Sequence, residues 1–516
     1  MTKNLPHTTN AKILQATRSS VMSMVINKNF IRNQFIDSKS TQFLDVENPS
    51  TGEIISRVPI STQEEVDEAI ASACSAFPAW SNTPVSRRVR YLFEFVELLI
   101  KNEDKIARTL VSEMGKSLPD AKAELKRAIE NCECACAMPV VQQGEKLPNA
   151  APNIDGEVLR VPIGVFAIIP PYNFPAMVPM WFLPYAIASG NTVIVKPSEI
   201  VPNTMQLIFE LLQKTGIPEG VVSLVNGDKT VAKALIEDPR VAGICFVGST
   251  RVAKEVASKC GALGKRFIAL GSAKNHLVVM PDANIEETVR NMVTSCYGCA
   301  GQRCMAASVI VPVGDTTYET ILSRFVDASK KVPIGDPLDP QFENEPMLMG
   351  PVISAKHKAF ILDTIQKALE EGAKIALDGR DYVCPNRPNG YFLSPTILCD
   401  VKPGSLLHTT EVFGPVVAVI KAQSLDEAIR IINEHPYGNG ASIYTRNGYY
   451  ARKFKMEVKA GMIGINIGIP APVAFLPFGG TKASAFCDIK VQGKEIVHFF
   501  TESRIVTERF FVEEQA

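Results

Sequence analysis

From Val165 onward, short apolar runs rich in β-branched residues alternate with amphipathic stretches. That alternation predicts a mostly parallel sheet with crossover helices, an α/β fold. Val165–Ile169, Thr192–Val195, Val221–Val225, Ile244–Val247 and Phe267–Leu270 read as strands. Between the second and third, Met205, Ile208, Phe209 and Leu212 recur at the i, i+3, i+4, i+7 spacing of one buried helical face, which predicts a helix over Asn203–Thr215 closed by Gly216 and Pro218.

A second alternating series follows: a strand over His276–Met280, a helix from about Ile285, a strand over Ser308–Val313 and a helix near Tyr318–Lys331. Two α/β lobes are therefore expected. Pro- and Gly-rich stretches at Pro333–Pro351 and Pro385–Tyr391 mark long loops of the kind that frame a site. Gly156–Pro162 and the segment from about His498 to Arg509 stand outside both series and read as strands of a small third element.

Composition narrows the class. The 516 residues carry 54 Lys plus Arg and 54 Asp plus Glu, so no global field draws the chain to nucleic acid or to an anionic membrane. The longest apolar stretch, Ala176–Ala188, is broken by Pro179 and Pro184 and falls short of the ~18 residues of a membrane helix. Twelve cysteines in a chain of this length point to reduced thiols. The first acidic residue is Asp37, after Lys3, Lys12, Arg18, Lys28 and Arg32, the charge bias of a transit peptide, although a start at Met22 or Met24 reads equally well.

Four groups of residues could carry chemistry. Gly248 and Ser249 join a predicted strand to a predicted helix over Arg251–Lys259, where backbone N–H groups and a helix dipole either hold a diphosphate or merely form a tight turn. Lys196 and Glu199 follow another strand of the same sheet and either grip a ribose or form a solvated pair. Cys132, Cys134 and Cys136 point in different directions on a helix, and Cys296, Cys299 and Cys304 lack a fourth thiolate, so no metal site is expected. Cys304 sits in Gly301-Gln302-Arg303-Cys304, with a cation beside the thiol that would lower its pKa; it is either a nucleophile or a small buried hydrophobe.

Taken in order, Pro171-Tyr172-Asn173-Phe174-Pro175, Lys196-Pro197-Ser198-Glu199, Phe246-Val247-Gly248-Ser249, Gly301-Gln302-Arg303-Cys304, Glu411-Val412-Phe413-Gly414-Pro415 and Pro477-Phe478-Gly479-Gly480 resemble the aldehyde dehydrogenase superfamily. The resemblance implies a Rossmann-like NAD-binding domain (38–143 and 162–272), an α/β catalytic domain (273–484), a small β oligomerisation element (144–161 and 485–516) and an N-terminal leader (1–37). It implies Cys304 as nucleophile and Asn173 as oxyanion donor. Lys196 and Glu199 would hold the adenosine ribose, Gly248 and Ser249 the diphosphate, and Glu411 and Phe413 the nicotinamide ribose. A homotetramer is implied too.

One departure is informative. Hydrolytic members carry a Glu four residues before the Lys of a Glu-Leu-Gly-Gly-Lys motif, whereas this chain reads Leu270-Gly271-Ser272-Ala273-Lys274. Loss of that base resembles the methylmalonate-semialdehyde dehydrogenase branch, which passes its acyl group to CoA. Ala273-Lys274-Asn275-His276 and Arg303-Cys304-Met305-Ala306 resemble that branch as well. Arg127 and Arg303 would then bind the substrate carboxylate. Against this, Pro477 to Lys482 follow the general superfamily pattern and Ala128 stands where the branch often has Gly. The expectation is an NAD-dependent semialdehyde dehydrogenase with CoA as co-substrate, no nucleic-acid or membrane partner, and a location in the cytoplasm of a bacterium or the mitochondrial matrix of a eukaryote.

Overall fold

A computed structural model describes residues 24–511. The predicted β-branched runs assemble into one eight-stranded sheet in the order Gln34–Ile36, Asn29–Ile31, Val222–Leu224, Thr192–Val195, Val165–Ile169, Val241–Val247, Arg266–Leu270 and Ala485–Phe486. Its five inner strands are parallel and its edges antiparallel. The inner strands alternate between two cores, as a period of two requires. Phe166, Ile168, Val193 and Val195 pack into one core, and Val165, Ala167, Ile169 and Ile194 into the other. Helices cover both faces, which is why these strands are mostly apolar.

The parallel part of this sheet starts at Val165–Ile169, winds outward through Thr192–Val195 and Val222–Leu224, then crosses to Val241–Val247 on the other side. Such a reversal opens a crevice at the C-terminal ends of the two central strands. Asn173, Lys196, Gly248 and Ser249 all follow C-terminal strand ends at this edge.

The second series forms a seven-stranded sheet ordered Lys374–Leu377, Thr396–Cys399, Val416–Val419, Ala307–Pro312, Asn275–Val279, Gly440–Tyr444 and Met462–Ile465. All its pairs are parallel except the first. Residues 271–274 alone separate Arg266–Leu270 in one sheet from Asn275–Val279 in the other. The C-terminal edge of the first sheet therefore leads straight to the N-terminal edge of the second, where Cys304 precedes Ala307–Pro312.

A third sheet pairs Thr501–Arg509 antiparallel with Ile154–Pro162, and Glu145–Ala151 with the latter. Three expectations need correction. The leader over 1–37 does not hold for Asn29–Ile36, whose strands continue the eight-stranded sheet with Phe30 fully buried; residues 1–23 lie outside the described residues. Ala485–Phe486, grouped with the small element, pairs with Arg266–Leu270 because the chain returns across the sheet edge. His498 lies in the helix Ile496–Phe500, whose Phe499 and Phe500 pack on Phe166 and so follow helical spacing before the strand begins. Among the described residues no helix is long and apolar enough to cross a membrane.

Candidate active site

Cys304 stands half-buried between a tight turn and the strand Ala307–Pro312. Cys299, Ala300 and Gly301 all adopt the left-handed backbone region, at φ of 56°, 52° and 72°. Consecutive positive φ values are costly for residues with a Cβ and are held here by packing. At Gly301 a Cβ would also collide with the Gly414 carbonyl, so only glycine fits. Two amides hold the Cys304 carbonyl: Asn275 Nδ2 donates to Cys304 O at 2.9 Å and Asn439 Nδ2 does so at 3.0 Å.

Asn173 is brought beside this loop, its Nδ2 donating to Gln302 O at 2.9 Å. Its backbone is anchored in turn by Lys116, whose Nζ donates to Asn173 O at 2.6 Å and to Glu124 Oε2 at 2.5 Å and lies 3.9 Å from the Phe174 ring centre. Glu124 Oε1 accepts from the N–H groups of Ala176 and Met177. The buried Lys116–Glu124 pair thus fixes both sides of the Asn173 loop. Sequence reading missed the pair, since a charge on a helix reads as a solvated face.

A cavity of about 380 Å³ opens over Cys304 and is lined by both predicted arginines, Arg127 and Arg303. The helix Leu118–Cys136 supplies one wall. Ser117 caps it by accepting from the Asp120 N–H, and Asp120, Glu124 and Arg127 then recur at i, i+4 and i+7 on the cavity face. Arg303 Nη2 donates to Asp120 Oδ1 at 2.7 Å, and Arg127 Nη1 to Glu130 Oε2 at 2.7 Å.

This pairing corrects the expected activation of the thiol. Burial first, and then the nearby Glu411 carboxylate, push Cys304 up to about 12; Arg303 pulls the other way but is outweighed. Its charge is already shared with Asp120, so adjacency in sequence overstated its effect on the sulfur.

The remaining predicted residues line other parts of the same edge and not the cavity. Lys196 Nζ is buried and donates to Pro197 O at 2.8 Å, to Gly227 O and to Glu199 Oε2 at 3.3 Å. Burial lowers its pKa. Gly248 lies so close to the Phe246 ring that a Cβ would sit 2.6 Å from it. Ser249 is the N-cap residue of the helix Thr250–Ala262, yet its side chain makes no capping bond, which leaves a hydroxyl and helix N–H groups for an anion. Leu270 is 4% exposed at its strand end. Glu411 Oε1 accepts from Ala273 N at 2.8 Å, and burial raises its pKa. Phe413, at φ 55°, meets the Tyr172 ring edge-on at 5.9 Å.

The twelve cysteines are free thiols. Three of the six histidines form a buried cluster that sequence spacing did not reveal, with His276 Nε2 2.9 Å from His408 Nε2.

Residues 35–506 match the aldehyde dehydrogenase family. The chain is 44% identical to malonate-semialdehyde dehydrogenase 1 of Geobacillus kaustophilus, covering 94% of this chain and 97% of that one. It is 42% identical to the acylating, mitochondrial methylmalonate-semialdehyde dehydrogenase of Arabidopsis thaliana, covering 93% and 78%. Among solved structures it is similar to the methylmalonate-semialdehyde dehydrogenase of Oceanimonas doudoroffii, with TM-score 0.92 and 40% identity over 95% of this chain and 99% of that one. A Sinorhizobium meliloti protein assigned to the same activity and solved with NAD aligns at TM-score 0.93 and 37% identity, covering 96% and 100%. With most of its length matched, the chain belongs to the aldehyde dehydrogenase family.

Proposed function

We propose that the protein oxidises malonate or methylmalonate semialdehyde with NAD and transfers the resulting acyl group to CoA. The observation that carries this reading is the cavity that joins the Cys304 thiol to two guanidiniums, Arg127 and Arg303. A thiol adds to an aldehyde carbon, and paired guanidiniums suit a carboxylate on the same small molecule.

Once Cys304 has lost its S–H proton to solvent, the sulfur bonds to the aldehyde carbon and the electron pair of the C=O π bond moves onto oxygen. Asn173 Nδ2 and the Cys304 N–H are the donors available to hold that oxyanion. NAD, when bound, supplies the hydride acceptor. Lys196 and Glu199 would hold its adenosine ribose, Gly248 and Ser249 its diphosphate, and Glu411 with Phe413 its nicotinamide ribose. The uncapped Ser249 and the close-packed Gly248 fit such a dinucleotide. A carboxylate at Glu199 favours NAD over a 2′-phosphorylated cofactor by like-charge repulsion.

The acyl group is left on Cys304 as a thioester. Its β-carboxylate departs as CO₂, which water then hydrates to bicarbonate, and the electron pair of the broken C–C bond forms an enolate whose oxygen the same donors hold until the carbon is protonated. Water releases the acyl group poorly, because the position from which hydrolytic members activate it carries no base. Leu270 stands where hydrolytic members carry Glu. Of the carboxylates lining the cavity, Asp120 is bonded to Arg303 and Glu124 to Lys116. CoA brings a thiol that ionises near neutral pH and needs less help.

The assembly proposed is a homotetramer, supported by exposed Leu147, Leu159, Ile505, Phe510 and Phe511 on and beside the small sheet. The compartment follows the source, cytoplasm in a bacterium or mitochondrial matrix in a eukaryote. To test the reaction, purified protein is incubated with malonate semialdehyde and NAD, with and without CoA, and products are identified by mass spectrometry. Acetyl-CoA in amounts matching NADH supports the reading. Free acid as the main product in the presence of CoA overturns it.

A further inference from the structure

Arg303 is clamped on two sides. One of its five N–H donors is used, Nη2 to Asp120 Oδ1 at 2.7 Å, and among the described residues no acceptor meets Nε or Nη1. Gly298 closes the other side: a Cβ there would lie 2.5 Å from Cζ and 2.7 Å from Nη2, so the glycine backbone lies against the guanidinium itself. Asp120 is as well placed as Arg303 is. It sits in the first turn of the helix Leu118–Cys136, where the helix N-terminus favours a carboxylate, and the Ser117 cap fixes that turn.

We infer that Asp120 and Gly298 set the angle at which Arg303 presents its free donors over Cys304, so that both positions determine selectivity for aldehydes that carry a carboxylate. The inference rests on the reading of Arg303 as the substrate's carboxylate partner. An arginine side chain loses much rotational freedom when it docks an anion, and a guanidinium already held has less to lose. Asp120 binds one edge and leaves the rest of the fork open. Gly298 lets the guanidinium lie flat against the backbone, where any side chain would tilt it. Burial of Arg303 works to lower its pKa, but Asp120 together with the neighbouring Cys299 and Cys304 outweighs burial and the net direction is upward, which agrees with a guanidinium held charged in place. Both are positioning residues, since they act through Arg303.

The test compares kcat and KM for malonate semialdehyde and for propanal across Asp120→Asn, Asp120→Glu, Gly298→Ala, Arg303→Leu and the double variant Asp120→Asn with Arg303→Leu. Asp120→Asn and Gly298→Ala should each lower the ratio of kcat/KM for the acid over propanal by about tenfold, mainly through KM of the acid. Asp120→Glu, which restores the charge, should recover most of the ratio. Once Arg303 is Leu, adding Asp120→Asn should change the ratio by less than about twofold, because the two positions act as one unit. If Arg303→Leu collapses the ratio while Asp120→Asn and Gly298→Ala leave it intact, or lower both substrates equally, the clamp is wrong and the carboxylate reading stands. If Arg303→Leu leaves the ratio unchanged, the carboxylate reading fails and takes the clamp with it.

Discussion

Cys304, the proposed nucleophile, is half-buried and must be coaxed into its thiolate. With its pKa pushed up to about 12 by burial and by Glu411, the thiolate fraction rises about tenfold for each pH unit below that value. Alkylation of Cys304 by iodoacetamide in cofactor-free protein, followed by peptide mass spectrometry, should therefore accelerate steadily from pH 6 to pH 9; a plateau below pH 8 would contradict this burial-controlled picture. Arg127 gives a separate test. It is more open than Arg303 and, among the described residues, pairs only with Glu130 within one turn, so Arg127→Leu should lower kcat/KM for malonate semialdehyde about 10- to 100-fold and for propanal much less. Equal losses would assign Arg127 to the fold. Sequence singled out both residues through their neighbours, and the fold brings both to one cavity. What sequence hid was the state of Arg303, because the carboxylate that shares its charge lies 183 residues away.

Where elements meet, three histidines from separate segments are locked in one neutral arrangement. The Gly404 N–H donates to His408 Nδ1, so the His408 proton sits on Nε2 and points at His276 Nε2, leaving the His276 proton on Nδ1. The Tyr437 N–H likewise donates to His435 Nδ1, whose Nε2 donates to His408 O. Burial, with His435 and Lys274, lowers His408 to about 3; burial lowers His435 to about 4 and holds His276 well below the usual imidazole range. The unfolded chain takes up protons near pH 6.5, and the folded chain does so only far below. Stability from the cluster is therefore complete above about pH 6.5 and falls as pH drops toward 4, by about 1.4 kcal/mol per histidine per unit. Urea midpoints should decline between pH 6.5 and 5, and His408→Gln should flatten that decline; an unchanged slope would remove the cluster as its cause. Elements themselves were legible in proportion to their burial. Val165–Ile169, buried on both faces, could hardly be anything but a strand. Glu145–Ala151 is polar and almost wholly exposed, so it carries no periodic apolar signal and emerges only by pairing with Ile154–Pro162.

At the scale of the whole molecule, exposed apolar residues gather on the three-stranded sheet and its C-terminal extension, and these should be covered in a homotetramer. Ile505→Asp should shift the mass measured by light scattering toward smaller species, and an unchanged mass would move the interface elsewhere. The meeting of two sheet edges over Cys304 was not visible in any local pattern, since it depends on where residues 271–274 deliver the chain. The identity of residue 270 was visible, and on it rests the central claim that the acyl group waits for CoA. Rapid-mixing measurement of NADH formation with malonate semialdehyde and NAD tests that claim most directly. The account predicts a burst near one NADH per Cys304 followed by slow turnover, restored to steady turnover by CoA, with Leu270→Glu raising the CoA-independent rate. Fast steady turnover of the unaltered protein without CoA, with no change in rate or product when CoA is added, would contradict it.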